Sequence, residues 1–221
     1  MAKRAPPAPR ALPAIACEDT LNTAFQALRE ADRDLVDRLA AEAGPPPLRL
    51  REGDFAGLAW IVVSQQVSTA SAKAIHGRLA ARFPAFTANA LLGADDAALR
   101  ECGLSAPKMR TIRAIAAAIE SGALDFAALA TMSAEDARKT MTAIHGVGPW
   151  TADIYLLFCL GHPDAWPAGD LALQEAARMA LGLRKRPDAR KLEQIAERWR
   201  PARGVAARLL WAWYAVAKAR A

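Results

Sequence analysis

The stretch that decides the fold is His145-Gly146-Val147-Gly148-Pro149-Trp150-Thr151-Ala152. Two glycines around one apolar residue let the backbone turn sharply and come close to a bulky neighbour with no Cβ in the way. Pro149 suits the first turn of a helix, where the N–H it lacks would go unpaired. A helix starting there offers unpaired N–H groups and the positive end of its dipole, which together hold a phosphate without any side-chain charge. On the glycines alone, a plain tight turn between packed helices explains the stretch equally well.

Outward from this turn, apolar residues recur at the three- and four-residue spacing of helices, and no alternating strand pattern or Asn-Gly hairpin interrupts them. Upstream, Asp19 or Thr20 opens a helix to about Ala43, ended by Gly44 and Pro45 to Pro47. Asp54 caps a segment through Val62, and Ser68 caps a fresh helix through Leu79 after a bend at Ser64-Gln65-Gln66. Shorter helices are expected near 88–102, 107–121 and 133–144. Downstream, helices are expected from Pro149, over 171–181, over 188–199 and over 202–218. The expected fold class is all-α. Residues 1–16, rich in Ala and Pro, read as a flexible tail before a helical domain over 17–221.

The block Pro163-Asp164-Ala165-Trp166-Pro167-Ala168-Gly169-Asp170 is a loop that ends in an acid placed to cap the next helix. Charge is unevenly spread around it. Of a formal net charge of +6, the segment Arg184 to Arg208 carries nine Lys/Arg against three acids, Asp188, Glu193 and Glu197. That lobe suits a polyanion partner or, equally on charge alone, is a solvated basic helix face. Three well-separated cysteines indicate neither a disulfide framework nor an iron–sulfur cluster, and Cys159 with His162 is too few ligands for zinc. No long uninterrupted apolar run marks a membrane helix, and the amino-terminal residues lack a secretory apolar core.

Taken in order, Ile61-Val62-Val63-Ser64-Gln65-Gln66-Val67-Ser68, the glycine turn with Trp150-Thr151-Ala152, the loop from Pro167 to Asp170, and Glu197-Arg198-Trp199-Arg200-Pro201 carry a resemblance. From about Leu48 to Trp213 the sequence resembles the helix-hairpin-helix DNA glycosylase superfamily, within it the DNA-3-methyladenine glycosylase II group. The resemblance implies a two-lobed helical fold with the active-site cleft between the lobes and without the extra amino-terminal β domain of some relatives. It implies removal of alkylated bases from double-stranded DNA in base excision repair, by a monomer in the cytoplasm beside the nucleoid, with no required cofactor.

Residue by residue, the resemblance implies that Asp170 is the catalytic carboxylate. Gly146, Gly148 and Thr151 belong to the hairpin that holds the DNA backbone. Backbone carbonyls of Thr142, Ile144 and Val147 match those that bind a Na or K ion. Trp150 and Trp211 wall the base pocket, with Ile154 and Tyr155 lining it. Gln66, with Gln65, falls where a side chain wedges the duplex. Apart from the resemblance, Lys108 reads as a phosphate contact or a surface charge. Three departures stand out: His145 replaces a proline frequent before the first glycine, Ile154 replaces a tyrosine, and Gln66 is not the apolar wedge of some relatives.

The chemistry suits these residue types. Methylation at N3 or N7 makes a purine cationic and a good leaving group, so the remaining task is to stabilise oxocarbenium character at C1′ with a nearby carboxylate, which can also position water. The nucleotide must first leave the stack, at a cost of a few kcal/mol. Indole faces attract a cationic ring by roughly 0.5–2 kcal/mol. Trp60, Trp166, Trp199 and Trp213 read as packing residues. Relatives that also cut the strand carry a lysine where Trp150 stands, and an indole forms no Schiff base. Two rival readings remain on sequence: a non-enzymatic DNA-binding module, with Asp170 merely a cap, and a glycosylase-lyase for oxidised bases.

Overall fold

The computed structural model describes residues 12–220. Among them it contains α-helices and no strand, as the periodicity requires. Helix α1 (Glu18–Ala31) is followed at once by α2 (Arg33–Ala43), where a single helix is expected from sequence. The break is at Asp32, whose φ of −154° and ψ of 65° leave the helical region. Its carboxylate accepts the Trp199 indole N–H at 2.9 Å and faces Arg198 Nε at 3.2 Å, contacts distant in sequence. Next come α3 (Phe55–Ser64) and α4 (Thr69–Arg82), with Asp54 and Ser68 as their N-caps.

The region 88–102 forms two short helices, α5 (Ala88–Leu92) and α6 (Asp96–Glu101), because Asp95 accepts the Ala98 N–H at 2.7 Å and starts afresh after Gly93. Helix α7 (Ala106–Glu120) precedes α8 (Phe126–Thr131), a helix absent from the sequence reading although Asp125 caps it. Then follow α9 (Ala134–Thr142), α10 (Pro149–Phe158), α11 (Leu171–Ala180), α12 (Ala189–Ala196) with a 3-10 turn Glu197–Trp199, and α13 (Arg203–Arg220).

The chain divides into two compact units, Met1–Leu48 with His162–Ala221, and Arg49–Gly161. In the first, α13 packs against α2 and α11 around Leu28, Leu39, Leu173, Trp199, Leu209 and Trp213. Residues 1–11 of the expected tail lie outside the described residues. Residues 12–16 are not tail: Ile15 is 1% exposed in this core and Leu12 packs on it, because burying an isoleucine outweighs ordering a short extended segment. In the second unit, α3 packs on α4, α7 and α10, with Leu58, Val62, Ile112, Met141 and Leu156 inside. Trp166, Trp199 and Trp213 are buried, as packing residues should be. Trp60 differs. It is half-buried, lies edge-on to His76 at 4.5 Å and under Arg51 at 5.0 Å, and borders a cavity of about 620 Å³ with Phe55 and Phe86. Among the described residues no helix is long and apolar enough to cross a membrane.

Candidate functional site

The glycine turn joins α9 to α10. Val147 donates to the Ile144 carbonyl at 3.1 Å, and Gly146 adopts φ +82°, a conformation that favours glycine. A Cβ at Gly146 would sit 1.9 Å from Thr111 Oγ1 on α7, so glycine is required there for space as well. Gly148 differs: a Cβ there would meet no protein atom within 4 Å. Gly148 is also the N-cap of α10, which has no side-chain cap and no acid in its first turn. The positive end of α10 is thus not answered by a cap or an acid of its own first turn, an arrangement that suits an anion.

Helix α10 then sorts the residues assigned to it. Thr151 and Tyr155, four apart, share the face turned to the core, and both are buried. Tyr155 is 0% exposed, packs on Phe126 at 5.5 Å between ring centroids, and its hydroxyl meets no hydrogen-bond partner. Burial pushes that hydroxyl well above the ordinary tyrosine range. Tyr155 is therefore a core residue, and its assignment to a base pocket is corrected. Trp150 and Ile154 lie on the other face and remain half-buried.

The bend between α3 and α4 lies in the same unit. Gln65 Nε2 donates to Thr151 Oγ1 at 2.7 Å, so the Thr151 hydroxyl is turned inward and its backbone N–H is what the hairpin can offer a phosphate. Gln66 is exposed with φ 55°, and Val67 beside it is one of the few large apolar side chains left in solvent, at 38%. Lys108 donates to the Val63 carbonyl at 2.7 Å, and burial lowers its ammonium from the ordinary lysine range. Gln65, Gln66, Lys108, Arg110, His145 and Gly146 line a pocket of about 300 Å³. Arg110 and His145 had no role in the sequence reading. The 3.6-residue period of α7 and the His145 departure were the signals available.

Asp170 belongs to the other unit and is the N-cap of α11, with Oδ1 accepting the Leu173 N–H at 2.8 Å. The same Oδ1 accepts the Trp211 indole N–H at 3.2 Å. The preceding loop is pinned on both sides. Buried Arg203 pairs with Asp164 at 2.7 Å, Arg200 pairs with the same carboxylate at 2.6 Å, and Gln174 Nε2 donates to the Ala168 carbonyl at 2.9 Å. Trp211 is thus bonded to the acid as well as half-exposed. Leu171, next to Asp170, is 62% exposed, an unusual position for leucine that sequence periodicity did not reveal.

A glycine-turned helix pair with an uncapped second helix, joined in one chain to a carboxylate fixed at another helix start, defines a helix-hairpin-helix protein suited to a polyanion. The HhH-GPD superfamily of base excision DNA repair proteins matches residues 59–201, and the chain belongs to that superfamily. It is similar to the alkylbase DNA glycosidase-like protein mag2 of Schizosaccharomyces pombe, 29% identical over 164 residues, 71% of this chain and 76% of that protein. A crystal structure of DNA-3-methyladenine glycosidase from Bacillus halodurans superimposes with a TM-score of 0.76 at 32% identity, over 85% of this chain and 87% of that one. The 3-methyladenine DNA glycosylase Mag1 of S. pombe, solved in complex with abasic DNA, gives a TM-score of 0.72 at 30% identity, over 86% of this chain and 95% of that one.

Proposed function

We propose that the protein is a monofunctional DNA glycosylase that removes alkylated bases of the 3-methyladenine and 7-methylguanine type from duplex DNA. The observation that carries this reading is the fixed carboxylate of Asp170, with Oδ1 held by the Leu173 N–H and the Trp211 indole. A carboxylate held by two donors needs no reorganisation when positive charge develops at C1′, which is how a preorganised group lowers a barrier. The alkylated base leaves with its electron pair and becomes neutral. Water, oriented by the same carboxylate, adds to C1′ and gives up its proton to that carboxylate, which returns it to solvent.

The hairpin offers the backbone N–H groups of Gly148 and of the first turn after Pro149 to a phosphate, and Gly148 lets the phosphate come close. Trp150 and Ile154 present a half-buried apolar face suited to an extruded base, and in the other unit the half-buried Trp211 indole stands on Asp170. Thr142, Ile144 and Val147 offer neutral carbonyl oxygens only, a donor set that fits a hard alkali cation. Bound there, Na or K would supply positive charge beside the phosphate. Trp150 in place of a lysine restricts the protein to base removal.

The test is release of free methylated base from alkylated duplex DNA, measured by chromatography, with Asp170→Asn alongside. The parent should release base and the variant should lose roughly 10²–10³ in rate, the scale of one preorganised charge-stabilising group. Equal rates would remove Asp170 from the chemistry, and no release with tight DNA binding would leave a binding module. Borohydride should trap no covalent adduct, whereas an adduct would identify a lyase.

A further inference from the structure

The bend at Gln65-Gln66-Val67 is tied down on three sides. On the α3 side, the last carbonyls of a helix have no intrahelical partner and carry its negative dipole end. The Lys108 ammonium answers one of them, Val63 O, at 2.7 Å. On the α10 side, Gln65 Nε2 reaches Thr151 Oγ1 at 2.7 Å. The α4 side is closed by Ser68, whose hydroxyl accepts the Ser71 N–H at 3.1 Å. Between these ties Gln66 holds φ 55°, a conformation that non-glycine residues rarely keep unless their surroundings impose it. Gln66 and Val67 are thereby presented outward.

We propose that Lys108 is a positioning residue, whose ammonium braces the α3 end so that Gln66 and Val67 form a wedge already shaped before DNA arrives. This rests on the glycosylase reading above and deepens it, since Lys108 by sequence alone reads as a phosphate contact or a surface charge. The two roles predict different salt behaviour. A lysine that neutralises a phosphate releases counterions and steepens the dependence of log K on log salt by about 0.9. A lysine that braces a loop changes how the wedge enters the stack and leaves that slope alone.

The experiment uses the full chain and a duplex with 2-aminopurine beside a tetrahydrofuran abasic site. Anisotropy over a salt series gives the slope, and 2-aminopurine fluorescence reports disruption of stacking by the wedge. Lys108→Met should keep the parent slope and lower the equilibrium constant of the fluorescence step about tenfold, the scale of one lost charge-assisted hydrogen bond. Lys108→Arg, which can still donate to the carbonyl, should restore the fluorescence. Gln65→Leu, which cuts the second tie without changing charge, should show the same loss, and thermal melts identify any variant that is merely unfolded. A slope reduced by about one in Lys108→Met overturns the proposal. So does a fluorescence rise in the parent that Lys108→Met keeps in full. If the parent itself gives no rise, the glycosylase reading fails first.

Discussion

The two hairpin glycines are there for different reasons, and replacing each by alanine separates them. At Gly146 the left-handed backbone costs a residue with a Cβ about 1–2 kcal/mol. The added methyl would also sit 1.9 Å from Thr111 Oγ1 and 2.9 Å from Thr111 Cβ. A rotation of the Thr111 side chain can clear the first atom but not the second, so backbone must shift, at about 1–3 kcal/mol for overpacking. Gly146→Ala should therefore destabilise the fold by about 2–5 kcal/mol, and even the lower figure implies a Tm drop of about 4–8 °C in a chain of this size. Thr111→Ala removes Oγ1 and Cγ2 and leaves Cβ, so the double variant should recover on the order of 1 kcal/mol of coupling. Gly148 has φ −85° and open space where a Cβ would go. Gly148→Ala should keep stability or gain about 0.4–1 kcal/mol through the unfolded chain, yet bind abasic-site DNA at least about tenfold more weakly, because the methyl stands where the phosphate must approach. Urea melts and anisotropy measure the two effects. Gly148→Ala binding as tightly as the parent, or additive melts for Gly146→Ala and Thr111→Ala, would refute this division of roles.

Asp170→Ala should lower stability by about 1 kcal/mol through loss of the α11 cap, while Asp170→Asn, an equally good cap, should melt with the parent. Trp211→Phe keeps a ring but removes the N–H on Asp170, so the single-turnover rate should fall about tenfold with abasic-DNA affinity unchanged. An affinity loss with an unchanged rate would make Trp211 a wall alone. Cys17 is exposed, and the Thr20 amide at the start of α1 lowers its thiol below the ordinary value, so it should react first with thiol reagents. Burial pushes Cys159 from 9.0 up to about 12. Its contribution to stability is complete below pH 9.0 and is lost as pH rises from there toward about 12. Cys159→Ala should flatten that alkaline limb in a pH series of urea melts.

The caps at Asp54, Ser68 and Asp170 were legible because capping is local chemistry, decided within four residues. The break at Asp32 was not, since the Trp199 indole that holds it comes from 167 positions later. Asp125 could have announced α8, but its run of six residues is too short for periodicity to stand out. Asp170 was readable as a cap, whereas its bond to Trp211 joins residues that no spacing rule connects. Tyr155 was drawn toward the pocket by its adjacency to Ile154, and a helix sends adjacent residues about 100° apart. Lys108 shows the same limit: a lysine in the first turn of a helix looks like a phosphate contact or a surface charge until the carbonyl it meets is located.

The first unit is assembled from both ends of the sequence, with Arg49–Gly161 as one continuous insertion. On the ribosome that order matters. The inserted unit has all its residues in hand once Gly161 emerges, and domains fold largely as units during synthesis. Helices α1 and α2 are made first but must wait with Leu28 and Leu39 unmatched, since their partners, such as the Trp213 indole on Glu42 at 3.0 Å, lie up to 171 residues downstream. Asp170 sits in that late half. A truncated or stalled product can thus acquire the hairpin without the acid. Under the proposed function such a product would grip DNA without processing it, and the waiting apolar faces of α1 and α2 would mark it for chaperones or proteases.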